Sequence, residues 1–141
     1  MIACNGAPSS DKELRYNAEQ YIQAMADYRV EDAKPYATFE TQETTLDYLI
    51  NVIMPNLDST YIASNTPATI TIDSIVCQND TIAIVYYHKQ TPLNAHLPAQ
   101  VEMRLESGVW LAHQIIQPLP FLGMIPKQEG DTLVSKTSNN K

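Results

Sequence analysis

The sequence contains few cysteines, which form the disulfides of small secreted domains and bind structural metals. Its 141 residues include two cysteines, Cys4 and Cys77, and no Cys-x-x-Cys pair, so the usual thiolate site for structural zinc is missing. Cys77 lies in a predicted apolar strand, where we expect an inert thiol and no disulfide to Cys4. A hydrophobic core must then hold the fold, and a chain of this length can bury one.

Positive charge and long apolar runs are also scarce. Nine lysines and arginines stand against sixteen acidic residues, which gives a formal net charge of -7. A nucleic-acid-binding surface needs a positive face that displaces counterions, so nucleic acid is not an expected partner. No run of eighteen apolar residues occurs, so no membrane-spanning helix is predicted.

Three helices are predicted in the first half of the chain. The first starts at Ser10, which forms a capping box with Glu13. Its apolar stripe follows a 3.6-residue period and consists of Leu14, Ala18, Tyr21, Ile22, Met25 and Tyr28. A short second helix is predicted over residues 30–37, and a third over residues 39–54. The third helix is expected to present Phe39, Leu46, Leu49, Ile50 and Ile53 on one face.

The second half of the chain predicts four antiparallel strands. β-branched residues fill segments 68–78 and 81–90, and Asn79-Asp80 between them suits a two-residue hairpin turn. Segments 99–106 and 109–117 flank a second turn at Ser107-Gly108. The predicted fold class is therefore α+β, with N-terminal helices packed on a curved four-stranded antiparallel meander.

The two turns determine which residues face one another across the strands. The turn at Ser107-Gly108 pairs Leu105 with Trp110, Met103 with Ala112, and Glu102 with His113. A carboxylate opposite a histidine can support acid–base chemistry, which makes His113 a candidate catalytic residue, although an exposed structural pair is the simpler interpretation.

The first hairpin is apolar on both faces in the predicted register. The turn at Asn79-Asp80 pairs Asp73 with Tyr86, and it leaves isoleucine and valine side chains on either side of the two strands. The helices can cover only one side. We expect the other side to be covered by a second copy of the chain, by a bound ligand, or by the apolar tail segment 119–125.

The chain divides into a flexible tether at residues 1–9, a single domain at 10–117, and a proline-rich, then polar tail at 118–141. The tether contains Ile2-Ala3-Cys4, which resembles the end of a bacterial lipobox, whose cysteine is lipidated. No charged and apolar leader precedes it in this sequence. Two interpretations are open: lipidation at Cys4, with a lipid-anchored or periplasmic location in the cell envelope, or an incidental cysteine and a cytoplasmic location.

The order of the elements resembles that of the nuclear-transport-factor-2-like superfamily. Gly108-Val109-Trp110 at the start of the last strand, and residues 27–33 before the second helix, are similar to recurrent features of that superfamily. The resemblance implies a cystatin-like cone in which a curved sheet wraps a long helix. The nearest similarity is to small domains of unknown function in bacterial envelope lipoproteins, which fits the lipidation of Cys4.

The resemblance also implies where a ligand pocket would lie. In the cone, we expect the pocket to be lined by Tyr28, Trp110 and Met103. Isomerase-type members use a pocket carboxylate as the base and tyrosine or aspartate as hydrogen-bond donors. Asp73 and Tyr86 are of these residue types and are expected to be cross-strand neighbours.

The expected function is that of a non-enzymatic, envelope-anchored domain that binds a small ligand or a protein partner. The alternative is a lyase or isomerase that acts on a small hydrophobic substrate in the cone, with Asp73, Tyr86 and His113 as catalytic candidates. The three histidines, His88, His96 and His113, match no ligand spacing, so neither a metal nor a cofactor is expected.

Overall fold

A computed structural model describes residues 8–93 and 96–115, and in it helices pack against a four-stranded antiparallel sheet. The predicted α+β class is confirmed. Cys4 and the rest of the expected tether up to residue 7 lie outside the described residues, as does the chain from Ile116 onward, so the expectations for lipidation and for the tail concern residues beyond them.

Four helical segments precede the sheet in the described part of the chain. They are α1 (Pro8–Ala26), α2 (Val30–Ala33) with a 3₁₀ turn at Lys34–Tyr36, the α3 segment (residues 39–56), and α4 (Ser59–Ser64). The α3 segment begins as an α-helix at Phe39–Thr41, continues through π-helical turns at Gln42–Leu46 and Leu49–Ile53, and ends in a 3₁₀ turn at Met54–Asn56. None of these helices is long and apolar enough to span a membrane.

The apolar stripe predicted for the first helix is confirmed over most of its length. Leu14, Ala18, Tyr21 and Ile22 are all buried. The inclusion of Tyr28 in that helix is wrong, because α1 ends at Ala26 and Tyr28 has a left-handed backbone with φ of 62°.

The predicted apolar face of the third helix is wrong at its first position. Phe39 is 67% exposed, whereas Thr41 and Thr45 are buried beside Leu46. π-Helical turns bond residue i to i+5, so they do not keep the 3.6-residue period on which the prediction depended. The buried side of the early α3 segment is therefore largely a row of threonines.

The sheet consists of β1 (Thr69–Cys77), β2 (Ile82–Gln90), β3 (Leu97–Glu106) and β4 (Val109–His113), each paired with the next. Ala37 adds a single parallel bridge to Ala112. This bridge connects the residues just before the α3 segment to β4, so the helical half of the chain contacts the β4 edge of the sheet.

The register predicted for the second hairpin is confirmed. Leu105 faces Trp110, Met103 faces Ala112, and Glu102 faces His113. Ser107 and Gly108 both have positive φ, at 53° and 80°, as a type I′ hairpin turn requires. Trp110 and Met103 are completely buried on the core side.

The register predicted for the first hairpin is wrong beyond Ile72. A β-bulge between Ile72 and Ser74 shifts the pairing by one residue, so that Ser74 rather than Asp73 lies opposite Tyr86. The connection is also a four-residue loop at 78–81, in which Ile82 O accepts from the backbone amides of Gln78 and Asn79.

The bulge changes how the apolar residues of this hairpin are distributed. An extra residue between Ile72 and Ile75 lets both side chains pack on the core side, where a strict alternation would separate them. Val76, at 48% exposed, and Tyr86, at 39%, remain exposed. The exposed apolar surface of this hairpin, which could support the predicted homodimer, is therefore smaller than the sequence predicts.

Cys77 is disulfide-bonded, so the expectation of an inert thiol is wrong. The sequence contains one other cysteine, Cys4, which lies outside the described residues. Cys77 is the last residue of the edge strand β1 and is only partly buried, so a second cysteine can reach its sulfur atom.

Candidate binding groove

The C-terminus of α1 is closed by a Schellman motif. Arg29 N donates to Ala24 O at 2.8 Å, and Tyr28 N donates to Met25 O at 3.1 Å. These two bonds satisfy carbonyl groups that the helix end would otherwise leave free. The motif needs a left-handed residue at the position of Tyr28, which is usually glycine.

Tyr28 is therefore a strained residue that its surroundings hold in place. A left-handed conformation costs a residue with a Cβ atom about 1–2 kcal/mol. The ring of Tyr28 meets the ring of Tyr61 edge-to-face, with centroids 6.2 Å apart. Partial desolvation, followed by the hydrogen bond and the charge interaction with Tyr61, raises the pKa of Tyr28 to about 12. The phenol is thus neutral at physiological pH.

Asp27 fixes the position of this turn against the sheet. Its Oδ1 atom accepts from Ala68 N at 2.8 Å, and its Oδ2 atom accepts from Gln23 Nε2 at 2.9 Å. Gln23 Nε2 also donates to Ala68 O at 2.8 Å. The turn after α1 is thereby anchored to the residue that precedes β1, so it presents Tyr28 on a rigid support.

A groove of about 280 Å³ lies beside this turn. Its lining residues are Tyr28, Arg29, Val30, Glu31, Asp32, Ile50 and Met54. The α1–α2 turn and α2 form one wall, and the later part of the α3 segment forms the other. Its apolar groups come from Tyr28, Ile50 and Met54, with the buried Val30 beneath them.

Acidic groups outnumber basic groups at the rim. Arg29 is paired with Asp32 at 3.0 Å and with Asp27 at 3.7 Å. Glu31 adds a further carboxylate to the lining. One guanidinium therefore faces three carboxylates, so the rim favours a neutral or cationic group over an anion.

The residues expected to line a pocket do not come together. Tyr28 lines the groove. Trp110 and Met103 lie instead in the core with no exposed surface. The core is closed around Trp110, with Met25 and Ile50 packed against the buried cluster.

The catalytic candidates Asp73 and Tyr86 are separated by the bulge. Asp73 Oδ2 pairs with His88 Nδ1 at 2.5 Å, and both side chains are 39% exposed. The ring of His96 lies 5.7 Å from that of His88. This cluster sits on the outer side of the sheet, away from the groove.

His113 lies in a third place, between β4 and the α3 segment. Its Nδ1 atom is 3.1 Å from Thr38 Oγ1, and its Nε2 atom is 3.9 Å from Glu40 Oε1. Glu102 faces it in register but accepts from Arg104 Nε at 2.5 Å. Because Thr38 is buried and also caps the α3 segment, these contacts are structural.

The histidines are not gathered at a metal site. Within residues 8–93 and 96–115, no group of three or more His, Cys, Asp or Glu side chains is placed to hold a metal ion.

Sequence reasoning missed Ile50 as a groove residue, because it was assigned to the apolar face of the third helix, and it did not single out Met54. It also missed the left-handed turn at Tyr28, since the side chain matched the apolar stripe of α1. The available signal was the short polar segment 27–33, which interrupts the helical pattern and provides five of the lining residues.

No protein-family model, curated protein or solved structure is similar enough to the chain to count as a match. The resemblance to the nuclear-transport-factor-2-like superfamily therefore stays a prediction from the sequence. The geometry of the chain itself must support any functional conclusion.

Proposed function

We propose that this chain is a non-enzymatic binding domain of the cell envelope, and that the groove beside Tyr28 holds one apolar group that is neutral or positively charged. That group is a side chain of a protein partner or a small ligand of similar size. The observation that supports the proposal most directly is the strained Tyr28, held at the mouth of an apolar groove with an acidic rim.

The size of the groove limits what it can hold. Sites for drug-sized molecules occupy roughly 300–1,000 Å³, and this groove is at or below the lower end of that range. It suits a single aromatic ring or one large aliphatic side chain. Strained backbone positions cluster at ligand-binding sites, which makes Tyr28 a reasonable marker of function.

The disulfide at Cys77 supports a location outside the cytoplasm. Disulfides persist in oxidising compartments and are rare in the cytosol. Lipidation of Cys4 and a disulfide between Cys4 and Cys77 exclude each other, because both use the same sulfur atom. The disulfide therefore favours a soluble envelope domain over a lipid-anchored one.

Two small probes that differ in charge test the groove. Phenethylamine and phenylacetate carry the same ring, and each can be titrated into the full-length protein while backbone amide shifts are recorded by NMR. We expect shifts centred on Arg29–Asp32, with phenethylamine binding about fivefold more tightly, as a surface charge interaction of about 1 kcal/mol implies.

Matched tyrosine variants then test the assignment of the site. Tyr28→Ala should abolish the shifts, whereas Tyr16→Ala, in the separate Tyr16–Tyr36 pair, should leave them unchanged. Ile50→Gln should also abolish them without altering the left-handed turn. Equal binding of both probes, or shifts that survive both groove substitutions, would contradict the proposal.

A further inference from the structure

Two tyrosine rings meet beside the groove. The ring centroids of Tyr28 and Tyr61 are 6.2 Å apart, and the ring planes are inclined at 72°. Tyr28 lines the groove and Tyr61 is 51% exposed, so both rings keep surface that a ligand can contact. Because aromatic faces carry negative partial charge, rings at this spacing can attract one cation that lies within about 6 Å of both centroids.

The backbone on both sides of this ring pair is fixed. Tyr28 lies in the turn that Asp27 anchors to the sheet, where Asp27 Oδ1 accepts from Ala68 N at 2.8 Å. Tyr61 lies in α4, where its carbonyl accepts from Nδ2 of the buried Asn65 at 3.0 Å. The two rings are therefore largely in position before a ligand arrives, which lowers the entropy cost of binding.

The charges beside the rings also favour a cation. The guanidinium of Arg29 at the rim is already paired with Asp32 at 3.0 Å. The neighbouring Lys34 is held by Asp47 at 2.8 Å, and Glu31 forms no ion pair within the part of the chain that the structure describes. A cationic ligand can therefore interact with Glu31 without displacing either basic side chain.

The apolar floor of the groove, formed by Val30, Ile50 and Met54, discriminates between kinds of cation. These side chains offer no hydrogen-bond acceptor apart from the weak thioether of Met54. A primary ammonium carries three N–H donors and is strongly hydrated, so contact with this floor would leave donors unpaired. A trimethylammonium group has no N–H donor, and its methyl groups suit an apolar surface.

We propose that the groove beside Tyr28 binds the trimethylammonium group of a small molecule, a choice that rests on the function proposed above and narrows it to one class of ligand. A carboxylate or phosphate near the ligand's nitrogen would lie against the acidic rim, so the ligand is a choline-like alcohol without an anionic group. The groove volume of about 280 Å³ suits a molecule little larger than the trimethylammonium group itself.

Three probes separate the effect of charge from that of apolar contact. Choline and 3,3-dimethylbutan-1-ol have the same shape, but only choline is charged, and ethanolamine carries a primary ammonium instead. Each is titrated into the full-length protein while the backbone amide shifts of residues 29–32 are recorded by NMR. We expect choline to bind about fivefold more tightly than either of the others, because cation–π contact and surface charge each contribute modestly at a partly exposed site.

Substitutions of Tyr61 and Glu31 test the assignment. Tyr61→Leu should remove the preference for choline over 3,3-dimethylbutan-1-ol, whereas Tyr61→Phe keeps the ring and should retain it. Glu31→Gln changes an exposed side chain and should weaken the binding of choline alone, by about threefold. The matched control is Tyr16→Leu, because the Tyr16–Tyr36 rings have a similar geometry, 6.4 Å and 74°, but do not line this groove. It should change the binding of neither probe.

Phenethylamine distinguishes failure of this proposal from failure of the proposed function. If phenethylamine shifts residues 29–32 but choline binds no more tightly than 3,3-dimethylbutan-1-ol, the groove is a binding site and the trimethylammonium proposal is overturned. If none of the probes shifts these residues, both fail. A preference for choline that survives both Tyr61→Leu and Glu31→Gln would also overturn the proposal.

Two further probes test the source of the trimethylammonium group. Phosphocholine should bind more weakly than choline, and a peptide that contains trimethyllysine should bind no more tightly. Phosphocholine that binds as tightly as choline would replace the choline-like alcohol with a lipid headgroup. Binding of the peptide that is tighter by about tenfold or more would replace it with a protein partner.

Discussion

The side chain of Trp110 lies at the centre of the core, yet one of its atoms is not satisfied. It has no exposed surface, and its Nε1 atom is buried without a hydrogen-bond partner among the described residues. Leaving a donor unpaired costs about 1–3 kcal/mol, whereas burying a large aromatic side chain contributes about 3–5 kcal/mol. Packing therefore outweighs the unpaired donor, and the carbonyl of Trp110 is satisfied by Asn17 at 2.9 Å.

Substitution of Trp110 separates these two effects. Trp110→Ala should reduce the free energy of unfolding by about 3–5 kcal/mol, measured by urea denaturation. Trp110→Phe should cost less than Trp110→Ala, because the phenyl ring still fills part of the site and the unpaired donor is removed. A loss below about 1 kcal/mol for Trp110→Ala would mean that the core does not depend on this side chain.

At the scale of elements, the junction between the α3 segment and β4 depends on buried polar contacts. Thr38 Oγ1 accepts from Thr41 N at 3.2 Å and caps the helix. Gln114 N donates to Thr41 Oγ1 at 2.9 Å, and Tyr21 donates to Gln114 Oε1 at 2.5 Å. Burial and a charge interaction with Tyr87 raise the pKa of Tyr21 above its ordinary value, so its hydroxyl remains a donor.

Two threonine substitutions test this junction. Thr38→Val keeps the shape of the side chain but removes the cap, and should lower the free energy of unfolding by about 1–2 kcal/mol. Thr44→Val removes an exposed hydroxyl that donates to Glu40 O within the α3 segment, and should change the free energy of unfolding by less than about 0.5 kcal/mol. Equal losses for the two variants would show that the junction adds no stability of its own.

At the scale of the whole molecule, we expect the disulfide at Cys77 to contribute to the free energy of unfolding. A cross-link between Cys4 and Cys77 would close a loop that contains all four helical segments and β1. In the chain-entropy account, loops of this length stabilise a fold by several kcal/mol.

Intact mass measurement and thiol counting test this cross-link. We expect the oxidised protein to be lighter than the reduced protein by two hydrogen atoms and to react with thiol reagents only after reduction. Cys4→Ser and Cys77→Ser should each lower the free energy of unfolding by about 2–4 kcal/mol, and by the same amount, because each removes the same bond. A lipid mass on Cys4, with no stability loss in Cys4→Ser, would restore the lipid-anchored interpretation.

The sequence predicts only part of the candidate groove. The sequence predicts a turn at residues 27–33 before the second helix and places Tyr28 in a pocket. Its partners in the α3 segment were not identified, because Ile50 was assigned to the apolar face of a regular helix and Met54 was not singled out. Ile50 lies in a π-helical turn and Met54 in the 3₁₀ turn that follows it, and both line the groove.

Local patterns determined the fold class, the stripe of α1 and the register of β3 with β4. In each case, one short stretch contains both the periodicity and the turn residues that produce the structure, as at Ser107-Gly108. Only tertiary packing decided the bulge at Asp73, the left-handed Tyr28 and the disulfide at Cys77. The bulge lets Ile72 and Ile75 share one core, and Tyr61 holds the ring of Tyr28 from far along the chain. Such features minimise the free energy of the whole fold at a local cost, so a local pattern cannot predict them.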